Sequence, residues 1–185
     1  MQYHLTIPVT REDLAPLKAG DTVLLSGVVY TARDAAHKRL MELLDAGKPL
    51  PFPLEGSAIY YVGPTPERPG QVIGSAGPTT SGRMDAYSPR LLDLGQSIMI
   101  GKGARNQAVK DAVVRSGAVY LAALGGAGAL MAASVESLEV ICWEDLGCEA
   151  VRRLEVKDFP LTVILDAHGG DLYQAGPEAY LAAQK

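Results

Sequence analysis

Strand-like and helical stretches alternate along this chain almost from end to end, and that alternation leaves few architectures open. Gln2 to Ile7 reads as a first strand ended by Pro8, and Thr10 to Leu17 as a short helical turn capped by Thr10. Asp21 to Ala32 is rich in Val, Leu and Thr and reads as a strand in which Gly27 marks a bulge or a close backbone approach. Arg33 to Leu44 places Ala36, Leu40, Leu43 and Leu44 on one helical face, with Gly47 as the stop. Lys48 to Pro53 is a stiff, proline-rich extended loop. Further strands are predicted at Ala58 to Val62, Val72 to Ser75, Ser97 to Ile100 and Ala118 to Leu121. Between them Ser88 caps a helix through Leu94 with Pro89 in its first position, and Asn106 caps another to Arg115. A small-residue helix follows Gly125 and runs to about Ser134. The last third holds strands near Glu139–Trp143, Arg153–Val156 and Thr162–Leu165, then a helix from Pro177 to Ala183. No repeat or linker-like break interrupts the 185 residues, so they form one α/β domain, residues 1–185, with a mixed sheet.

Composition narrows the partners. Hydrophobic residues make up 48% of the chain and charged residues 21%, as in ordinary globular proteins. A net charge of -4 and a pI near 5.4 argue against nucleic acid or an anionic membrane surface. No apolar run is long enough to span a bilayer, and the N-terminus lacks the basic and apolar regions of a signal peptide, so a cytoplasmic location is expected. Two cysteines, Cys142 and Cys148, make no disulfide framework and are too few for a cubane iron–sulfur cluster; they read as small buried apolar residues. His4, His37 and His168 lack metal-ligand spacing, so no metal ligand is assigned to this chain.

The chemistry concentrates in Gly77-Pro78-Thr79-Thr80-Ser81-Gly82-Arg83-Met84-Asp85. Backbone N–H groups and hydroxyls in such a turn converge on an anion, and a guanidinium offers a carboxylate two parallel donors. Arg33 and Lys102 likewise follow apolar strand-like runs. Three cations at three strand ends suit a small molecule carrying two carboxylates. Taken singly, Arg33 is a helix-start charge pairing with Asp34, Lys102 a solvated loop lysine, and Thr79 and Thr80 turn residues. Taken together, they read as a site. His37 either reaches that site or is a half-exposed surface histidine, and Asp85 orients Arg83 or caps the local turn. Gly125 to Gly128 lacks the spacing of a nucleotide-binding loop and reads as close helix packing.

These residues, with Gly63-Pro64-Thr65, Thr31-Ala32-Arg33-Asp34-Ala35-Ala36-His37 and Gly101-Lys102-Gly103, resemble the beta subunit of class I fumarate hydratases, a group that includes L-tartrate dehydratase. The resemblance runs from about Leu5 to Tyr173. It implies a swivelling β/β/α domain, equivalent to a C-terminal catalytic domain, that serves as the beta region of a hydro-lyase of the tricarboxylic acid cycle. It also implies an alpha subunit that carries the cysteines of a 4Fe–4S cluster, paired with this chain as a heterodimer or heterotetramer. Arg33, Arg83 and Lys102 would grip the carboxylates of malate or fumarate, and Thr79 would match the catalytic hydroxyl. Two departures stand out: Gly103-Ala104-Arg105-Asn106 where Asn then Arg is expected, and Gly125-Gly126-Ala127-Gly128 where a Gly-Gly-Pro-Ala run is usual. The Ser81-Gly82 pair leans toward fumarase over tartrate dehydratase. The alternatives are an L-tartrate or mesaconate enzyme, or a non-catalytic dicarboxylate-binding module.

Overall fold

The computed structural model describes residues 1–184, and in it five strands lie parallel: β1 (Gln2–Thr6), β2 (Thr22–Thr31), β3 (Ala58–Tyr60), β4 (Ile98–Gly101) and β5 (Val119–Ala122). Two more, β6 (Val135–Cys142) and β7 (Val151–Leu165), complete a seven-stranded mixed sheet. β7 runs antiparallel to β2 and, at its end, to β5. Thr162 pairs with Thr22 on one side and Ala122 on the other, so β2, β3, β4, β5 and β7 close into a ring. β1 adds to β2 outside that ring, and β6 adds to β7.

Parallel neighbours require crossover connections. These carry α2 (Asp34–Asp45), α3 (Ser88–Asp93) and α4 (Gln107–Ser116), after the short α1 (Arg11–Leu14). The predicted caps form: Thr10 and Asp13 make a reciprocal capping box, and Asn106 accepts from the Val109 N–H. The central strands are buried on both faces, which explains their unbroken apolar runs. Ala58, Tyr60, Ile98 and Ile100 belong to one core, whereas Ile59, Met99 and Tyr120 point to a second core beneath the helices. The mixed α/β architecture of one domain with flanking helices is therefore as expected.

Several boundaries differ from the sequence reading. Val72 to Ser75 forms no strand; the chain doubles back there, with Thr65 N–H donating to Ser75 O (3.0 Å) and Ser75 N–H to Thr65 Oγ1 (2.8 Å). The two strands expected over 153–156 and 162–165 are one strand, β7. Their apparent break is an irregularity at Asp158, where φ is +47° and the N–H donates to Ser26 Oγ (3.0 Å). α5 (Gly128–Ala133) follows Gly125 as predicted, but α6 (Leu172–Ala182) starts well before Pro177, because Asp171 caps it through the Tyr173 N–H. Ser88 is the first residue of α3 rather than its cap, since its hydroxyl turns back to Met84 O (3.0 Å).

Gly27 fulfils its predicted role. It sits at φ +99°, where the register of β2 against β7 shifts and β1 hands its edge of β2 to β3. A Cβ there would lie 2.9 Å from Ile7 O and 3.2 Å from Ile7 N, both main-chain atoms. Gly27→Ala is expected to destabilise the fold by about 1–3 kcal/mol through the positive φ and the clash with the Ile7 main chain together. Denaturant unfolding would check this, and an unchanged midpoint would refute the close-approach account.

Candidate active site

Because β2, β3 and β4 run parallel, their C-terminal ends open on one edge of the sheet, the usual ligand side of such sheets. Arg33 stands in the N-cap position of α2 directly after β2. Lys102 follows β4. Thr79 donates its N–H to Tyr61 O, just beyond β3, at 2.7 Å, and Arg83 lies in a 3₁₀ turn over Ser81–Met84. Thus the four residues singled out from sequence all arise at one end of the parallel strands.

The turn is stitched to the end of β4. Ser81 N–H donates to Lys102 O (2.8 Å), and Lys102 N–H donates to Ser81 Oγ (2.9 Å). Gly101 permits this approach, since a Cβ there would run into Ser81 Oγ and the Tyr61 ring. The Tyr120 hydroxyl lies 2.9 Å from Ser81 Oγ and 2.8 Å from Gly103 O. Burial pushes that phenol's pKa up, so it remains a protonated donor. Of the Gly125–Gly128 run, Gly128 shows the expected close packing, against Ser75 Oγ and the Gly77 main chain, whereas a Cβ on Gly126 would meet nothing within 4 Å.

Sequence reasoning missed the residue beneath the turn, Arg105. Its side chain is fully buried, with Nε 2.6 Å from Asp85 Oδ1 and Nη2 2.8 Å from Ser88 Oγ. Its guanidinium lies 5.4 Å from the Tyr61 ring centre and 5.0 Å from that of Tyr120. Asp85 therefore holds Arg105, and through Oδ2 the Asn106 N–H (2.7 Å), rather than orienting Arg83. The unusual Ala104-Arg105 order was the available signal, because a lone arginine next to a helix cap needs a partner.

The cations are unequally balanced. Arg83 pairs with Asp34 at 2.6 Å, and Arg33 lies 3.8 Å from Asp34 and 3.2 Å from Glu149. Glu149 was not foreseen, since it comes from the far end of the sequence. Among the described residues Lys102 has no ion-pair partner, and Gly125 flanks its stem. His37 neither lines the site nor lies at the surface. It is fully buried, and its N–H and Nδ1 both lie within hydrogen-bond distance of Arg33 O (2.8 and 2.9 Å), so it anchors the Arg33 main chain. Burial holds its pKa down to about 4, with the Arg105 charge adding to the effect.

The residues of this chain do not fit a metal cluster. Among the described residues no three His, Cys, Asp or Glu side chains stand close enough to hold a metal ion. Contrary to the sequence reading, Cys142 is half-buried and Cys148 exposed, because Cys148 lies within an irregular surface segment, Glu144–Glu149, kinked at Gly147, and Cys142 just before it. No helix of the described residues is long and apolar enough to cross a membrane.

Comparison with known proteins adds the family. Residues 1–176 match the family model described as Fumarase C-terminus. The chain is 40% identical over 169 residues to fumarate hydratase 2 of Leishmania major, covering 90% of this chain and 30% of that protein. It is 44% identical over 152 residues to the anaerobic class I fumarate hydratase of Escherichia coli (strain K12), covering 81% of this chain and 28% of that one. It is 34% identical over 177 residues to the L(+)-tartrate dehydratase subunit beta of the same bacterium, covering 93% of this chain and 87% of the subunit. It thus spans less than a third of the two fumarate hydratases and most of the beta subunit.

A neutral buried His37 makes stability depend on pH. Its pKa is lower folded than unfolded, so its penalty is absent above about pH 6.5 and grows as pH falls toward 4, where the unfolded chain takes a proton the fold refuses. The loss over that window is on the order of 3 kcal/mol. Unfolding curves at pH 7 and pH 5 should therefore diverge for the wild type and converge in His37→Gln. An equal slope in both proteins would overturn this assignment.

Proposed function

We propose, because this chain belongs to the fumarase C-terminal family, that it is the beta subunit of a two-part hydro-lyase that reversibly hydrates fumarate to (S)-malate. The observation that carries the proposal is the gathering of Arg33, Thr79, Arg83 and Lys102 at one end of the parallel strands, in the chain of a family whose similar members are named as hydro-lyases. Loss of water from malate requires removal of a weakly acidic C3 proton and departure of hydroxide. Arg33, Arg83 and Lys102 bind the two carboxylates and stabilise the negative charge that develops as the proton leaves. Thr79 moves that proton. A free hydroxyl is a feeble base, so Thr79 works in the positive potential of Arg83 and Lys102, with a carboxylate of the partner region.

The alpha subunit supplies the 4Fe–4S cluster, and this chain supplies none of its ligands. The assembly is a heterodimer or heterotetramer in the cytoplasm. L-tartrate is the second candidate substrate, since the chain is 34% identical to an L(+)-tartrate dehydratase subunit beta. A hydroxyl or methyl difference is worth only about 1–3 kcal/mol in an apolar pocket, so mesaconate also belongs in the assay.

The test is anaerobic turnover of fumarate, L-tartrate and mesaconate by the chain alone and by its complex with the alpha subunit. Turnover is expected from the complex alone. Dicarboxylate binding without turnover in either preparation would favour the binding module instead. In the active complex Arg83→Ala should lower kcat/KM by about tenfold to a hundredfold, the loss of one charge-assisted pair. Thr79→Val keeps the shape, deletes the hydroxyl and should cost about 10²–10⁴ in kcat. Full turnover in Thr79→Val would leave Thr79 a turn residue.

A further inference from the structure

One arginine outside the site organises an acid inside it. Arg152, on β7, directs Nη1 to Cys148 O and Ala150 O and Nη2 to Gly147 O, each at 2.9 Å. Its own N–H donates to Thr31 Oγ1 (3.0 Å), the residue two before Arg33. Three carbonyls on one guanidinium close the Gly147–Ala150 loop, including the left-handed Gly147 (φ +58°). The same segment is tied to α2 where Arg39 Nη1 donates to Asp145 Oδ1 (2.9 Å). Closed in this way, the loop brings Glu149 to the start of α2. There Oε2 accepts from the Ala35 N–H (3.0 Å), and Oε1 lies 3.2 Å from Arg33 Nη2.

Arg33 passes through a narrow slot. A Cβ on Gly63 would lie 2.7 Å from Arg33 Nη1 and 3.2 Å from Cys148 O, so Gly63 leaves the space through which the guanidinium runs beside the loop. This gives the Gly63-Pro64-Thr65 motif a physical task. Arg33 Nε is buried without a hydrogen-bond partner among the described residues, and the side chain is 19% exposed. Glu149 therefore occupies one corner of the guanidinium and leaves other donors unused.

We propose that Glu149, set by Arg152, is a positioning residue for Arg33: it fixes one edge of the guanidinium so that the other meets a substrate carboxylate. The inference rests on the dicarboxylate reading of the site. Removing the charge of Glu149 frees Arg33 to swing, which weakens carboxylate binding without touching the proton-transfer step.

The experiment is a double-mutant cycle in the active complex with Glu149→Gln and Arg33→Ala. Gln keeps the acceptor for the Ala35 N–H and removes the charge. Glu149→Gln should raise KM by about three- to tenfold with kcat nearly unchanged, and it should add nothing in the Arg33→Ala background. In the full chain labelled with ¹⁵N-arginine, the Arg33 guanidinium NMR signal should broaden or shift in Glu149→Gln while the melting temperature holds. Wild-type KM in Glu149→Gln beside a raised KM in Arg33→Ala would overturn the inference, as would multiplying effects of the two substitutions. An unchanged KM in Arg33→Ala would instead overturn the dicarboxylate reading of Arg33, with the NMR signal still deciding whether Glu149 holds it.

Discussion

The candidate site depends on a buried cation. Arg105 has its charge in the interior, and removing such an ion from water costs several kcal/mol unless partners replace the lost hydration. Asp85 supplies the opposite charge, Ser88 a hydroxyl, and Tyr61 and Tyr120 two aromatic rings. These partners come from the turn after Thr79, the start of α3, the residue just beyond β3, and β5. Moving any of them costs the guanidinium one of its partners. The turn that carries Thr79 and Arg83 is thereby held at the sheet edge by the need to satisfy Arg105, and Asn106 extends the hold to the start of α4. Such a pair is weak evidence of net stability and strong evidence of fixed geometry, which is what a site built on a turn requires.

How far the sequence could be read follows from the range of the forces involved. Strand and helix periodicity is local, and so are caps such as Thr10 and Asn106, so most elements were legible. Gly27 was legible too, because a glycine inside a β-branched run marks a bulge or a close backbone approach and little else. Val72 to Ser75 misled because four apolar or small residues fit a strand as well as a folded-back loop, and the choice is made by Thr65, ten residues before Ser75. The continuity of β7 was hidden because Lys157, Asp158 and Pro160 look like a break locally, whereas the partner Ser26 that absorbs the irregularity lies 132 residues off. The same distinction runs through the site. Arg33, Thr79, Arg83 and Lys102 announced themselves by position in motifs. Glu149 and the pairing of Asp85 with Arg105 are set by tertiary contact, and a single sequence carries no local sign of which groups will meet.

Charge also shapes the candidate site. The mouth holds Arg33, Arg83 and Lys102 against Asp34 and Glu149, a surplus of one positive charge. Arg83 is 51% exposed, so water screens its pairing with Asp34 to about 1 kcal/mol or less, while the more buried Arg33 and Glu149 feel each other more strongly. The two acids let the cations gather while leaving guanidinium donors and the lysine for a ligand. A dicarboxylate brings two negative charges, one more than this surplus offsets, and its reaction raises further negative charge on carbon. On the two-part reading proposed above, the alpha subunit would offset the remainder. That charge balance is the physical argument for the two-part reading.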